Sequence, residues 1–298
     1  MTLAVFTKRN IKLFFKDKGM FFTSLVTPAI LLVLYATFLG NVYRDNFVAS
    51  MPEGVEASED VIDGIVAGQL MSSILAVSCV TVAFCTNLLM VQDKARGAVR
   101  DIAVTPANPA VISAGYVCAS LVSTLIICFV STGICLGYVK FMGWFMEPRD
   151  VLMLFAAVFI LAFFGIALSS VVNFFLSTEG QISAVSSIIS AGYGFICGGY
   201  MPISAFGEGL RKAVSFLPGT YGTSLVRQYS LNGVLTEMEG QGVPAGVTDY
   251  IREFLDCTIY FSGKEVAESA KYAVVLISSL ALMGIYIALN VIKNRKSA

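Results

Sequence analysis

Six long runs of apolar residues, at 20–40, 66–92, 109–139, 151–176, 182–200 and 272–292, contain no Asp, Glu, Lys, Arg or His. Backbone in hydrocarbon must satisfy its own N–H and C=O groups, so runs of this length read as helices. At about 1.5 Å per residue each can cross a bilayer core of about 30 Å. The run 182–200 is near the lower limit. The run 109–139 is longer than a crossing needs, which predicts tilt or a projecting end. Charged residues are only 13% of the chain and gather between the runs, where a soluble domain would carry roughly a quarter. The expected fold class is an all-α integral membrane protein with six transmembrane helices.

Lys and Arg set the orientation. With the N-terminus in the cytoplasm, the segments on that side hold eleven basic and four acidic residues, leaving nine basic and sixteen acidic outside. Both termini are therefore expected in the cytoplasm, with the chain crossing the plasma membrane. A basic, polar stretch precedes the first run and no small-residue cleavage site follows it, so a cleavable signal is not expected. The formal net charge is zero, which gives no reason to expect nucleic acid as a partner.

Several chemistries lack their residues. The chain has no histidine, the commonest general base and metal ligand. Its seven cysteines show no metal-site or disulfide spacing. Six lie in apolar runs, and Cys257 alone lies in a polar segment. No G-x-x-x-x-G-K-[ST] sequence is present, and Gly263-Lys264 continues as Glu265, so a phosphate cradle is missing. No catalytic residue, metal site or bound cofactor is expected on this chain. The charge-free runs also weigh against an ion-coupled transporter, which usually carries ionisable groups at membrane depth.

The segments between the runs have their own character. Residues 2–16 read as an amphipathic helix in the cytoplasmic interface. Lys8, Lys12 and Lys16 recur every four residues beside Arg9, with Leu3, Phe6, Ile11, Phe14 and Phe15 on the other arc. Its lysines would meet anionic head groups, making membrane lipids a partner; a basic tail is the alternative. Residues 93–105 can form a short helix, stopped by Pro106 and Pro109, or a bare solvated loop. After the fifth run, Gly198-Gly199-Tyr200-Met201-Pro202 breaks the helix. The semi-apolar stretches 203–217 and 219–231, split by Pro218-Gly219, read as a re-entrant hairpin in the outer leaflet, spanning 201–231. Residues 233–270 read as an external segment.

Polar residues inside the runs are candidates for a translocation path. Gln69, Ser73, Thr81 and Asn87 mark the second run. In the fifth, Ser186, Ser190, Gly194 and Gly198 follow at four-residue steps beside Tyr193. Such a stripe is either a close-packing seam between helices or a smooth wall that opens for a substrate.

The chain resembles the permease subunit of type-2 ABC exporters, a family with drug, antibiotic, lipid and polysaccharide export members. The resemblance lies in KDKGMFFTSLVTPAILLVLYATFLG after the basic start, in RGAVRDIAVTPANPAVISAGY between the second and third runs, and most specifically in CGGYMPISAF…LPGTYGTSLVRQ. The last places Gly199, Pro202, Pro218, Tyr221 and Arg227 in family-like positions, with Gly198 beside them. The loop opens with Asp93 where the family often has Glu. The resemblance implies a half-transporter of bacterial origin. A second permease copy or paralogue and two ABC ATPase subunits would complete it, with ATP and Mg on the ATPase. It implies that 93–105 is a coupling helix, with Asp93, Arg96, Arg100 and Ile102 meeting the ATPase. It also implies that the second and fifth spans line the exit path of an amphipathic small molecule, peptide or lipid-like substrate. A secondary multidrug exporter and a polysaccharide-type permease remain as alternatives, together with a non-transporting membrane scaffold.

Overall fold

The computed structural model describes residues 3–34, 37–38, 40–51, 57–103, 108–261 and 263–297. Among these, α1 (Leu3–Lys16), α2 (Lys18–Leu34) and α3 (Gly40–Ser50) precede the long α4 (Glu59–Ala95). The short α5 (Ala98–Ala103) leads to α6 (Pro109–Met142), α7 (Pro148–Phe174) and α8 (Glu179–Ile196). Then come a 3-10 turn at Ile203–Ala205, α9 (Glu208–Val214), α10 (Pro218–Gly240) and α11 (Ala245–Phe254). A two-residue antiparallel hairpin, β1 (Tyr260–Phe261) with β2 (Lys264–Glu265), precedes α12 (Glu268–Ser297).

Among the described residues four helices, α4, α6, α7 and α12, are long and apolar enough to cross a membrane. The α1–α2 pair, bent by 73°, makes a fifth if taken as one span. The run 182–200 became α8, whose 18 residues include Gln181, Ser183, Ser186, Ser187 and Ser190; it is too polar to join them on composition. The last residues of the expected first span, 35, 36 and 39, lie outside the described residues.

The centre of the protein is α4. Of its apolar window 94% is buried, against 17% for α12. Ile277, Leu280 and Ile287 of α12 stay exposed, as a lipid-facing side does. Small residues let backbones meet around α4. A Cβ on Gly165 of α7 would sit 2.8 Å from the Cys79 carbonyl, and one on Gly68 would sit 2.7 Å from the Ser230 carbonyl of α10. With 37 residues, α4 extends about 56 Å, well beyond a bilayer core. It starts at Glu59, not at 66, because its acidic first turn suits a helix N-terminus and pairs with Arg44 of α3 through Glu59 and Asp63.

Three expectations change here. The apolar arc of α1 divides: Phe6, Asn10 and Phe14, at helical spacing, are buried in the protein, and the Phe6 ring meets Tyr116 of α6 edge-on at 5.0 Å. Leu3 and Phe15 remain exposed, as do Lys8, Lys12 and Lys16. The two arms of the 201–231 hairpin are unequal. The first is the 3-10 turn and the seven-residue α9, which leaves Leu210 and Phe216 exposed. The second is α10, which runs on to Gly240 and is buried against α4, α7 and α12. The external segment 233–270 therefore begins inside a packed helix. Cys257 is also buried, at 3% exposure, and burial pushes its thiol up to about 11. Cys257 is expected to resist maleimide at neutral pH in the folded protein and to react after denaturation. Mass spectrometry of the peptide checks this, and rapid labelling of folded protein would refute it.

Candidate functional site

A groove of about 560 Å3 lies between α2, α4 and α8. Met20 and Thr23 of α2 form one wall, Cys85, Leu88 and Gln92 of α4 the floor, and Ser183, Ser186, Ser187 and Ser190 of α8 the other wall. The serines share a side of α8 through three- and four-residue steps. A capping box holds the start of α8: Thr178 Oγ1 accepts from the Gln181 amide at 3.3 Å, and Gln181 Oε1 accepts from the Thr178 amide at 3.2 Å. Ser187 donates to the Ser183 carbonyl at 2.9 Å, whereas Ser186 Oγ is buried without a partner among the described residues. The groove thus offers hydroxyl groups between apolar patches, a surface suited to an amphipathic molecule.

The groove ends at Arg96, which also lines it. Arg96 caps α4, its amide donating to the Gln92 carbonyl at 2.9 Å. Gly97 then turns the chain at φ +80°, a conformation open to glycine, and α5 begins. The floor of the groove and α5 are consecutive pieces of one chain.

The expected coupling residues separate. Asp93 lies inside α4 and is buried. It pairs with Arg9 of α1 at 3.2 Å and accepts from the Tyr116 hydroxyl of α6 at 2.6 Å. It therefore ties the N-terminal helix to the bundle and does not face outward. Ile102 of α5 is half-buried against the main core. The side chain of Arg100, and residues 104–107, lie outside the described residues. Lys94 donates to the carbonyls of Asn173 at 3.3 Å and Phe174 at 3.1 Å, capping the end of α7 where a cation is favoured.

Of the expected path residues, Ser186 and Ser190 line the groove. Asn87 lies elsewhere. Its Nδ2 donates to Ser169 at 3.0 Å and Ser170 at 2.9 Å, and its Oδ1 accepts from Ser120 at 3.3 Å, within an α4–α6–α7 seam. Thr81 is buried and donates to the Val77 carbonyl at 3.0 Å. Ser73 and Tyr193 are buried, their hydroxyls unpartnered among the described residues. Gln69 lines a separate cavity near the start of α4. The Tyr200 ring lies against Gly194, where a Cβ would come within 2.4 Å of it. Gly198 adopts φ +74° and ends α8, and Gly199 abuts Val77.

The segment after α8 closes on a buried polar node. Arg227 of α10 is fully buried, pairs with Asp256 at 3.1 Å and donates to the Gly198 carbonyl at 2.7 Å. Asp256 also accepts from the amides of Ile203 and Ser204. Burial pushes the Asp256 carboxyl up, and Arg227 and the two amides oppose that. Lys271 of α12 donates to the Cys257 carbonyl at 2.6 Å and to Gln228 at 3.0 Å. Pro218 occupies the first turn of α10 and Tyr221 donates to the Ser215 carbonyl at 2.7 Å. Pro202 is buried before the 3-10 turn. Sequence reasoning missed Asp256, Lys271, Thr23 and Gln92. For the first two, the partners lie 14 to 53 residues apart in the chain and leave no local signature.

The family model described as ABC-2 type transporter matches residues 2–231, ending within α10. No curated protein matches the chain.

Proposed function

We propose a function from one premise: the chain belongs to the ABC-2 type transporter family. It is the permease subunit of an ATP-driven exporter, and an ABC ATPase supplies the energy. Two permeases, identical or paralogous, each lean on one of two ATPase subunits, which bind ATP and Mg. With α1 lying in the cytoplasmic interface, α2 and α8 join the four long apolar helices as spans, giving six with both termini in the cytoplasm of a bacterium. The substrate is amphipathic: a small molecule, peptide or lipid-like molecule that uses the groove's hydroxyls and apolar patches together.

One observation carries this reading. The groove and α5 are joined through Arg96 and Gly97, within a single turn. A push on α5 from an ATPase shifts the end of α4, and with it the floor against which α2 and α8 close. Arg96 and Arg100 meet the ATPase, and the glycine between α4 and α5 lets that contact tilt. Asp93, tied to Arg9 and Tyr116, keeps α1 moving with the same end of α4.

Charge reversal of Arg96 and Arg100 together is expected to lower substrate-stimulated ATP hydrolysis of the purified complex by at least about tenfold, since like-charge contacts cost several kcal/mol at an interface. Membrane insertion and permease yield stay unchanged. Concentrative transport by the purified chain with no ATPase present would overturn the reading in favour of a secondary exporter.

A further inference from the structure

About 24 Å along α4 from the groove, counted from Cys85 to Gln69, a second cavity of about 480 Å3 opens between α3, α4, the Tyr200–Ala205 turn and the end of α11. Phe47, Ile65, Met201, Pro202, Phe254 and Leu255 make its walls apolar. Gln69 lines it. That side chain is 1% exposed, and neither Nε2 nor Oε1 has a hydrogen-bond partner among the described residues. The Tyr43 hydroxyl on the same wall donates to the Tyr200 carbonyl at 2.7 Å, leaving its proton engaged there.

A buried amide with both ends unmatched is rare and costly, and points to a group that fits it. The partner must offer a donor and an acceptor side by side. Water does this poorly here, because an ordered water needs two to four polar partners and these walls are largely apolar. An ionised carboxylate has no donor and would be desolvated at high cost. The volume falls within the usual range of small-molecule sites.

We propose that this cavity binds an apolar chain ending in a carboxamide or an undissociated carboxyl group. The chain lies against Phe47, Met201, Phe254 and Leu255, and the end group pairs with Gln69 through one donated and one accepted hydrogen bond. The site requires that α4 span a membrane. It requires neither a direction of transport nor an ATPase.

The test uses the full-length chain in lipid nanodiscs, without ATP or ATPase, so it is independent of the exporter reading. The probe is dodecanamide carrying a diazirine along its chain. Photolabelling is expected to be saturable, suppressed by excess dodecanamide, and mapped to peptides containing Tyr43, Gln69, Met201 or Phe254. Gln69→Leu is expected to weaken the apparent affinity about tenfold or more, as when a site built to hydrogen-bond its ligand loses that group. A methyl-ended probe should not distinguish the two proteins. Should Gln69→Leu fail to fold, Ala205→Phe fills the same cavity from its rim and must abolish saturable labelling. Labelling that is non-saturable, that maps elsewhere, or that is unchanged in the variant tested overturns the proposal.

Discussion

Arg227→Met is expected to destabilise the protein by about 3–5 kcal/mol, the usual cost of removing one partner from a buried ion pair. Arg227 is fully buried and Asp256 nearly so, and the same guanidinium holds the Gly198 carbonyl at the end of α8. Methionine fills much of the volume but leaves the Asp256 carboxylate without its cation. Three elements then lose their common fastener: α10, the end of α8 and the loop after α11. Asp256→Asn is expected to cost less, because its single amide oxygen, set where Oδ2 lies, still accepts from the Ile203 amide and the Arg227 guanidinium, and only the Ser204 amide loses its acceptor. Asparagine also tolerates the positive φ of 56° found there. The double variant should be more stable than Arg227→Met alone, since the uncompensated charge is gone. Thermal unfolding in detergent, read by fluorescence-detected size exclusion, measures all three. Equal stability of Arg227→Met and wild type would show that the pair is dispensable.

That node was hard to read in the sequence because its members are ordinary polar residues far apart along the chain. Residues 233–270 looked external on composition, and polarity alone does not reveal that Asp256, within them, and Lys271, just after them, both turn inward. Part of the signal was nevertheless present. Leu231, Val234, Leu235 and Met238 follow helical spacing and pack on Val61, Ile62 and Ile65; this extends α10 beyond the residue where its apolar stretch seemed to stop. The long apolar helices were legible because hydropathy is a local property and a bilayer imposes a minimum length. The lining of the groove was only half legible. Asn87 and Ser190 are both polar residues in apolar runs, and composition treats them alike. Their neighbours separate them: Asn87 meets three hydroxyls from α6 and α7, whereas Ser190 lines the groove. Packing assigns faces that a single helix pattern leaves open.

The same contrast governs α8, where two leucine substitutions eight residues apart are expected to fail in different ways. At Gly198, leucine must adopt φ +74°, which costs about 1–2 kcal/mol for a residue with a Cβ. That Cβ would also lie 2.6 Å from Cγ1 of Ile203. Relieving the clash moves the Gly198 carbonyl away from Arg227, so the helix end and the polar node loosen together. Gly198→Leu is therefore expected to reduce the yield of folded, assembled protein severely. At Ser190 the backbone is helical, and its carbonyl accepts from the Tyr200 hydroxyl at 3.1 Å whatever side chain it carries. Ser190→Leu leaves that bond intact and places a bulky apolar group on the wall of the groove. Assembly should survive, because a half-exposed helical position tolerates leucine. Export should fall about tenfold or more, equivalent to at least about 1.4 kcal/mol against the transported substrate, while ATP hydrolysis continues without it. Complex yield by size-exclusion chromatography and export by vesicle uptake, measured for each variant, separate the two outcomes. Normal export by Ser190→Leu would remove α8 from the path, whereas poor assembly of that variant would make its serines a packing surface between copies of the chain.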